Sequence, residues 1–87
     1  MKTKPKVGDK IIAKGVIGVV IQVSGKAYNV YGDMCDLDYK NVLILVEFNT
    51  PYEGLFSGEW FVDWTESNVK LVRKGPYLAN DGTEINV

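Results

Sequence analysis

Short runs of apolar and β-branched residues, separated by turn residues, make up most of this chain, which is the pattern of a protein built from β-strands. The run at 42–48 is the most strongly β-prone, and the residues at 59–64 alternate between two faces, with Trp60, Val62 and Trp64 on one of them. No run shows the 3.6-residue period of a helix. The pattern predicts an all-β fold whose strands span 10–13, 16–23, 42–48, 59–64 and 69–72.

The connections between these strands differ in their chemistry. Lys14-Gly15 is a turn between the first two strands. Residues 28–31 form a short strand by alternation, and the stretch 32–38 is expected to be an acidic loop. The polar residues 65–68 suit a single 3₁₀ turn before the last strand.

The two ends of the chain are expected to lie outside the main domain, which spans residues 7–73. Residues 1–6 alternate lysine with Thr and Pro and are predicted to be a flexible basic arm. The extension at 74–87 contains Asn80-Asp81-Gly82 between short apolar flanks, which is typical of a hairpin turn, although a loose ribbon fits equally.

Composition restricts the class of protein. With 87 residues, of which 46% are hydrophobic and 24% charged, the chain is expected to form one small folded domain. The longest apolar run is far shorter than the roughly 18 residues of a membrane span, and no secretory signal follows the first lysines. The single Cys35 has no partner for an intramolecular disulfide, so a cytoplasmic, reducing compartment is expected.

Charge is unevenly distributed although the net charge is only −1. Residues 1–26 carry six lysines and one acid, whereas residues 27–68 carry one lysine and eight acids. If both parts fold together, one face is basic and another acidic, and such polarity affects the choice of partner and the association rate.

Aromatic and acidic residues are the candidate partner-binding groups. Trp60 and Trp64 fit either a core or a binding surface, whereas aromatics in loops are expected to be exposed. The carboxylates of the acidic loop lack the spacing of a calcium loop, so no metal site is predicted, and they suit a partner with a basic surface. The predicted partner-binding set is Tyr31, Asp33, Asp36, Asp38, Tyr52, Phe56, Trp60 and Phe61.

Basic residues support an alternative function, the binding of nucleic acid through phosphate contacts. A single arginine, Arg73, is present for bidentate recognition, which disfavours sequence-specific binding. The alternative set is Lys10, Lys14, Lys26, Arg73 and Lys74.

Catalysis is not expected. The chain has no histidine, which excludes Cys–His and Ser–His–Asp arrangements and histidine metal sites. It also lacks a glycine-rich phosphate loop that opens a helix, and a domain of this size has little volume for a substrate pocket. No enzyme activity and no cofactor are therefore predicted.

Several motifs resemble the small five-stranded barrels of the SH3-like and KOW type. They are the opening Gly8-Asp9, the spacing from Gly15 through Gly18 to Val20, and the closing segment 66–72. Bacteriophage-encoded small barrels are similar in size and strand order. The resemblance implies a non-enzymatic binding module, such as a phage or bacterial accessory protein that modulates a host protein machine. A monomer or weak homodimer is expected, since the apolar strand at 42–48 could pair at an uncovered edge.

Overall fold

The computed structural model describes residues 3–29, 31–46, 58–78 and 84–85, with backbone alone at 77–78 and 84–85. All regular elements in these residues are strands, which confirms the all-β prediction. In chain order they are β1 (Lys10–Ala13), β2 (Val16–Gln22), β3 (Gly25–Tyr28), β4 (Met34–Leu37), β5 (Asn41–Val46), β6 (Glu59–Asp63), β7 (Lys70–Arg73), β8 (Tyr77–Leu78) and β9 (Glu84–Ile85).

Five of these strands form one antiparallel sheet in the order β6-β5-β2-β1-β7. Its inner face is apolar because every second residue of each strand points to the same side. Ile11 and Val20 are fully buried there, and Val42 of β5 pairs with Val62 of β6. The main core cluster is Ile11, Ala13, Val20, Val42, Ile44, Val62, Trp64 and Val69.

The sheet curves over this core but does not close. Ala13 of β1 and Val62 of β6 line one cleft although β5 and β2 lie between their strands in the sheet. Within the described residues, the edge strands β6 and β7 are not hydrogen-bonded to each other. The five strands therefore form a curved open sheet, and the closed barrel expected from the sequence is not formed by these hydrogen bonds.

Gly18 allows β2 and β5 to approach each other closely. A Cβ atom at this position would lie 2.8 Å from the carbonyl oxygen of Leu45 and 2.9 Å from Cδ1 of Ile44. Gly18 itself keeps regular pairing with Val46, and the irregularity in register falls between Val20 and Gln22. Gly18 thus serves the close packing of β2 on β5, and the bulge in β2 lies further along the strand.

A hairpin replaces the predicted acidic loop. β3 pairs with β4, so residues 34–37 are a strand. The strand predicted at 28–31 lies earlier in the chain, at 25–28. The reason is tertiary packing. Ala27 and Leu37 are buried against Leu43 on the outer face of the sheet, where Ile21 and Phe61 also pack.

The N-terminal segment contacts the rest of the fold. Lys4 Nζ donates to the carbonyl oxygens of Val23 at 2.6 Å and Asp38 at 2.9 Å, and Pro5 is buried. Residues 4–6, expected to belong to a flexible arm, are therefore held by these contacts in the structure.

In the C-terminal region β8 and β9 pair antiparallel on either side of the turn predicted at Asn80-Asp81-Gly82. The turn residues themselves lie outside the described part of the chain.

The predicted 3₁₀ turn at 65–68 is replaced by two successive turns, in which Glu66 N–H donates to Asp63 O at 3.3 Å and Val69 N–H donates to Glu66 O at 3.1 Å. Each turn closes its own hydrogen bond, so no continuous 3₁₀ segment forms.

Candidate protein-binding surfaces

The end of the β3–β4 hairpin exposes three large apolar side chains. Tyr31 is 85% exposed, Tyr28 61% and Met34 51%. Tyr28 and Met34 are directly opposite in the register. Since Asn29 N–H donates to Asp33 O at 2.9 Å, they form a non-hydrogen-bonded pair, the kind whose side chains lie closest. We call Tyr28, Tyr31, Met34, Asp33 and Asp36 the tip surface.

Asn29 holds the loop that carries Tyr31. Its Oδ1 accepts hydrogen bonds from the backbone N–H of Tyr31 at 2.9 Å and of Asp33 at 3.0 Å. Gly32 has a φ of 82° and donates its N–H to Asn29 O at 3.0 Å. The Asn29 amide also contacts Cys35 Sγ at 3.4 Å. These bonds hold the backbone at Tyr31, Gly32 and Asp33, while the ring of Tyr31 remains in solvent.

The three predicted binding aspartates have different roles. Asp33 and Asp36 have exposed side chains on the hairpin, and Asp36 lies opposite Lys26 in the register. Asp38 Oδ1 instead accepts from the backbone N–H groups of Lys40 at 2.8 Å and Asn41 at 3.1 Å. Asp38 therefore stabilises the turn that leads into β5, although its side chain is exposed like the other two.

Trp64, which the sequence left open between core and surface, belongs to the core. It is 3% exposed, its Nε1 donates to Tyr39 O at 2.7 Å, and its ring meets that of Tyr39 edge-on with centroids 5.5 Å apart. Because the indole N–H has a partner, burial leaves no polar group unsatisfied.

The other aromatics of the predicted site lie apart from the tip surface. Trp60 is partly buried against the main core, and Phe61 packs on the opposite face of β6 against the smaller cluster. Tyr52 and Phe56 lie outside the described residues. The structure therefore brings Phe61 to the cluster that holds Ala27 and Leu37 of the acidic hairpin, whereas Trp60 lies on the other face of β6.

A cleft of about 250 Å³ lies along β6, between this strand, the β1–β2 turn and the start of β7. We call it the edge cleft. Its lining residues are Ala13, Lys14, Asn41, Trp60, Phe61, Val62, Asp63, Glu66 and Val69. The cleft combines an apolar floor with the carboxylates of Asp63 and Glu66 and the ammonium group of Lys14.

Asp63 at the edge cleft is held in its charged form. The hydroxyl of Thr65 donates to Asp63 Oδ1 at 2.5 Å, and the backbone N–H of Thr65 donates to the same oxygen at 2.9 Å. These hydrogen bonds, with a smaller effect from the charge of Lys40, lower the pKa of Asp63 below its ordinary value of 3.8. The edge cleft therefore carries a negative charge at neutral pH.

Part of the predicted basic set comes together on the outer face of the sheet. Lys10 of β1 lies opposite Arg73 of β7, and Lys70 lies opposite Ile12 on the same face. Lys74 follows β7 directly. Lys14 is in the β1–β2 turn at the edge cleft, and Lys26 is on the hairpin, so these two are separated from the group.

Sequence reasoning missed three contributors to these surfaces. The predicted partner-binding set lacks Met34, and it lacks Tyr28 although the sequence offers that residue for an aromatic platform; the predicted basic set lacks Lys70. The signal for the first two was present, because Asn29 and Gly32 are typical of a hairpin loop and imply pairing of the residues on either side.

The described residues contain no cluster of three side chains of the types that bind a metal ion. No helix in this part of the chain is long and apolar enough to cross a membrane. Comparisons with protein-family models, curated proteins and solved structures found no match to this chain. Its function is therefore argued from the geometry of its own surfaces.

Proposed function

We propose that this protein is a non-enzymatic, SH3-like binding module that recognises a partner protein through the tip surface. The observation that carries the proposal is the exposure of Tyr31, Tyr28 and Met34 on a hairpin whose loop is held by Asn29. An aromatic side chain presented on a fixed backbone loses little conformational entropy when it is buried in a partner. Such rigid anchors are typical binding hot spots.

The carboxylates beside this anchor specify the kind of partner. Asp33 and Asp36 are exposed on the same hairpin and have the sign that orients a basic surface. The partner would have an apolar pocket for Tyr31 with lysine or arginine residues at its rim. The strand order, in which β7 returns to pair with β1, supports the SH3-like assignment. The sequence resemblance supports a phage or bacterial accessory protein acting on a host protein machine.

Affinity capture from a bacterial lysate treated with nuclease tests the proposal. The immobilised baits are the wild type, the double variant Tyr31→Ala with Met34→Ser, and Leu45→Ser as a matched control, since Leu45 is 49% exposed elsewhere. A protein retained by the wild type and by the control but lost with the double variant supports the tip surface. Equal retention by all three baits contradicts it.

The charge component has its own test on the captured partner. Reversal of Asp33 and Asp36 to lysine is expected to weaken binding about tenfold and to flatten its salt dependence, since both steering and rim contacts are lost. Glu66→Lys, an exposed reversal outside the tip surface, is the control. A partner that binds the reversed variant with unchanged affinity contradicts the acidic part of the surface.

One observation favours nucleic acid as a second candidate ligand. Lys10 of β1 pairs with Arg73 of β7 beside an irregularity in the register, and Lys70 pairs with Ile12 next to them, so three cations lie on two neighbouring strands. Such a group of cations is suited to contacts with phosphates. This candidate does not require the tip surface.

A salt series distinguishes this candidate. We expect a labelled single-stranded oligonucleotide to bind with a slope of log K against log salt of about −2, as roughly three phosphate contacts give. Lys10→Gln with Arg73→Gln should abolish most of this slope, whereas Lys14→Gln with Lys26→Gln should preserve it. If both double variants lose oligonucleotide binding to the same extent, binding depends on the overall charge of the protein. That result would contradict a site at β1 and β7.

A further inference from the structure

β6 is an edge strand whose outward backbone groups can be identified. Trp64 N–H donates to Lys40 O at 3.0 Å, and Val46 N–H donates to Gly58 O at 2.6 Å. Because hydrogen-bonded and non-hydrogen-bonded pairs alternate in an antiparallel ladder, the N–H and C=O groups of Glu59 and Phe61 point away from β5. Among the described residues no strand pairs with this side of β6.

The edge cleft adjoins these backbone groups. Trp60 and Val62 supply its wall on β6, and Ala13 and Val69 face them from the β1 and β7 side. The volume of about 250 Å³ accommodates a few small apolar side chains but not a second folded element. The opening is thus the gap left where β6 and β7 do not pair, and one extended chain would fill it.

Charge along this edge indicates what kind of chain would fit. Glu59 and Asp63 lie on the outer face of β6, and Glu66 follows at the cleft. Lys14 is on the opposite wall, and Lys40 is within electrostatic range of Asp63, so carboxylates outnumber cations here. Antiparallel pairing of β6 with a second copy of itself would place acidic residues against one another, which disfavours that occupant.

We propose that the outer edge of β6 binds an extended segment of a partner protein by β-strand addition. In the segment, apolar side chains alternate with lysine or arginine. The apolar side chains enter the edge cleft beside Trp60 and Val62, and the cations lie beside Glu59 and Asp63 on the outer face. The partner backbone pairs with the outward groups of Glu59 and Phe61. The site is separate from the tip surface and does not depend on it.

The probe is a fluorescent peptide of about seven residues in which lysine and valine alternate. A second peptide has the same sequence with the backbone nitrogens of all internal residues methylated, so that it cannot donate hydrogen bonds to β6 in either strand orientation. A third peptide has glutamate in place of lysine. Affinities are measured by anisotropy with the full chain, and amide resonances are followed by NMR during each titration.

The protein variants are Glu66→Lys, which reverses a charge at the edge cleft, and Asp33→Lys, which makes the same change on the hairpin. Both side chains are exposed, so the two variants are matched in charge and in expected stability. We expect Glu66→Lys to weaken the lysine–valine peptide about three- to tenfold and Asp33→Lys to change its affinity less than twofold. The two variants also distinguish this site from the tip surface. A partner bound at the tip surface should lose affinity with Asp33→Lys and keep it with Glu66→Lys.

Three results support the proposal together. The N-methylated peptide and the glutamate peptide each bind at least tenfold more weakly than the parent, and amide shifts concentrate at 59–66 and at Lys14. Several results would overturn it: no binding of the parent peptide at millimolar concentration, equal binding of the N-methylated peptide, or shifts centred on the hairpin. Association of the protein with itself that the peptide fails to displace would make a second copy the occupant and would also overturn it.

Discussion

The carboxylate of Asp9 accepts a hydrogen bond from the backbone N–H of Gly75 at 2.9 Å, joining positions 66 residues apart in the chain. Its other oxygen accepts from Lys6 N–H at 3.0 Å. Asp9 is only 5% exposed, so both oxygens are satisfied by protein groups at the place where the two ends of the sheet region meet.

Asp9→Asn tests this connection. The amide keeps one acceptor and brings an N–H₂ group against a backbone donor, so we expect a loss of about 1–3 kcal/mol in the free energy of unfolding. Urea denaturation measures it, with the exposed Asp36→Asn expected to stay within about 0.5 kcal/mol of wild type. Equal stability of the two variants would show that the Asp9 hydrogen bonds contribute nothing net.

The pKa of Asp63 should depend on the hydroxyl of Thr65. We expect Thr65→Ala to raise the pKa of Asp63 toward its ordinary value, because the larger of the two hydrogen bonds is lost, while Thr65→Ser preserves the low value. A carboxyl NMR titration measures this directly. A pKa unchanged in the alanine variant would assign the lowering to the backbone N–H instead.

The same hydrogen bond has a pH-dependent effect on stability. A pKa lowered by folding contributes stability that is present above the ordinary value of 3.8 and is lost as the pH falls through the lower folded value. The stability difference between wild type and Thr65→Ala should therefore contain a component that is constant at neutral pH and disappears in acid. Denaturation at several pH values checks this, with Thr65→Ser expected to follow the wild type.

Gly18→Ala should destabilise the sheet by about 1–3 kcal/mol, because the added methyl would overlap both a backbone oxygen and a core side chain. Adding Ile44→Val removes Cδ1, the side-chain atom in this overlap, and leaves the overlap with Leu45 O. We therefore expect the double variant to lose less than the sum of the two single losses. Strict additivity in urea denaturation would indicate that Ile44 is not the obstacle.

The β1–β2 turn offers a stabilising change. Lys14 and Gly15 both have positive φ, 53° and 79°, as a two-residue hairpin turn of type I′ requires. Asparagine tolerates this conformation better than lysine, so Lys14→Asn should stabilise the protein by about 0.5–1 kcal/mol. Lys14→Val, with a β-branched side chain at the same φ, should destabilise it. If thermal unfolding shows the valine variant to be as stable as the asparagine variant, the assignment of a type I′ turn is contradicted.

The positions of the main strands follow from sequence alone. β1 coincides with the predicted run at 10–13, and β2, β5, β6 and β7 overlap their predicted runs, since alternating apolar residues and turn signals are local properties. The same alternation places Val62 and Trp64 on one side of the chain, and the structure shows that this side is buried. The turn at Lys14-Gly15 follows from the sequence in the same way.

Tertiary structure decided the rest. Three aspartates within six residues are typical of a loop, yet β4 forms among them because Leu37 is buried against Leu43 and because Asn29 closes the hairpin. The same packing leaves Tyr28 and Met34 exposed. Asp38 stabilises the turn that follows β4 by accepting a hydrogen bond there. The pairing of β7 with β1, the opening beside β6 and the Asp9–Gly75 contact join residues distant in sequence. Local residue pattern sets strand positions and faces, whereas which strands meet depends on how the whole chain buries its apolar area.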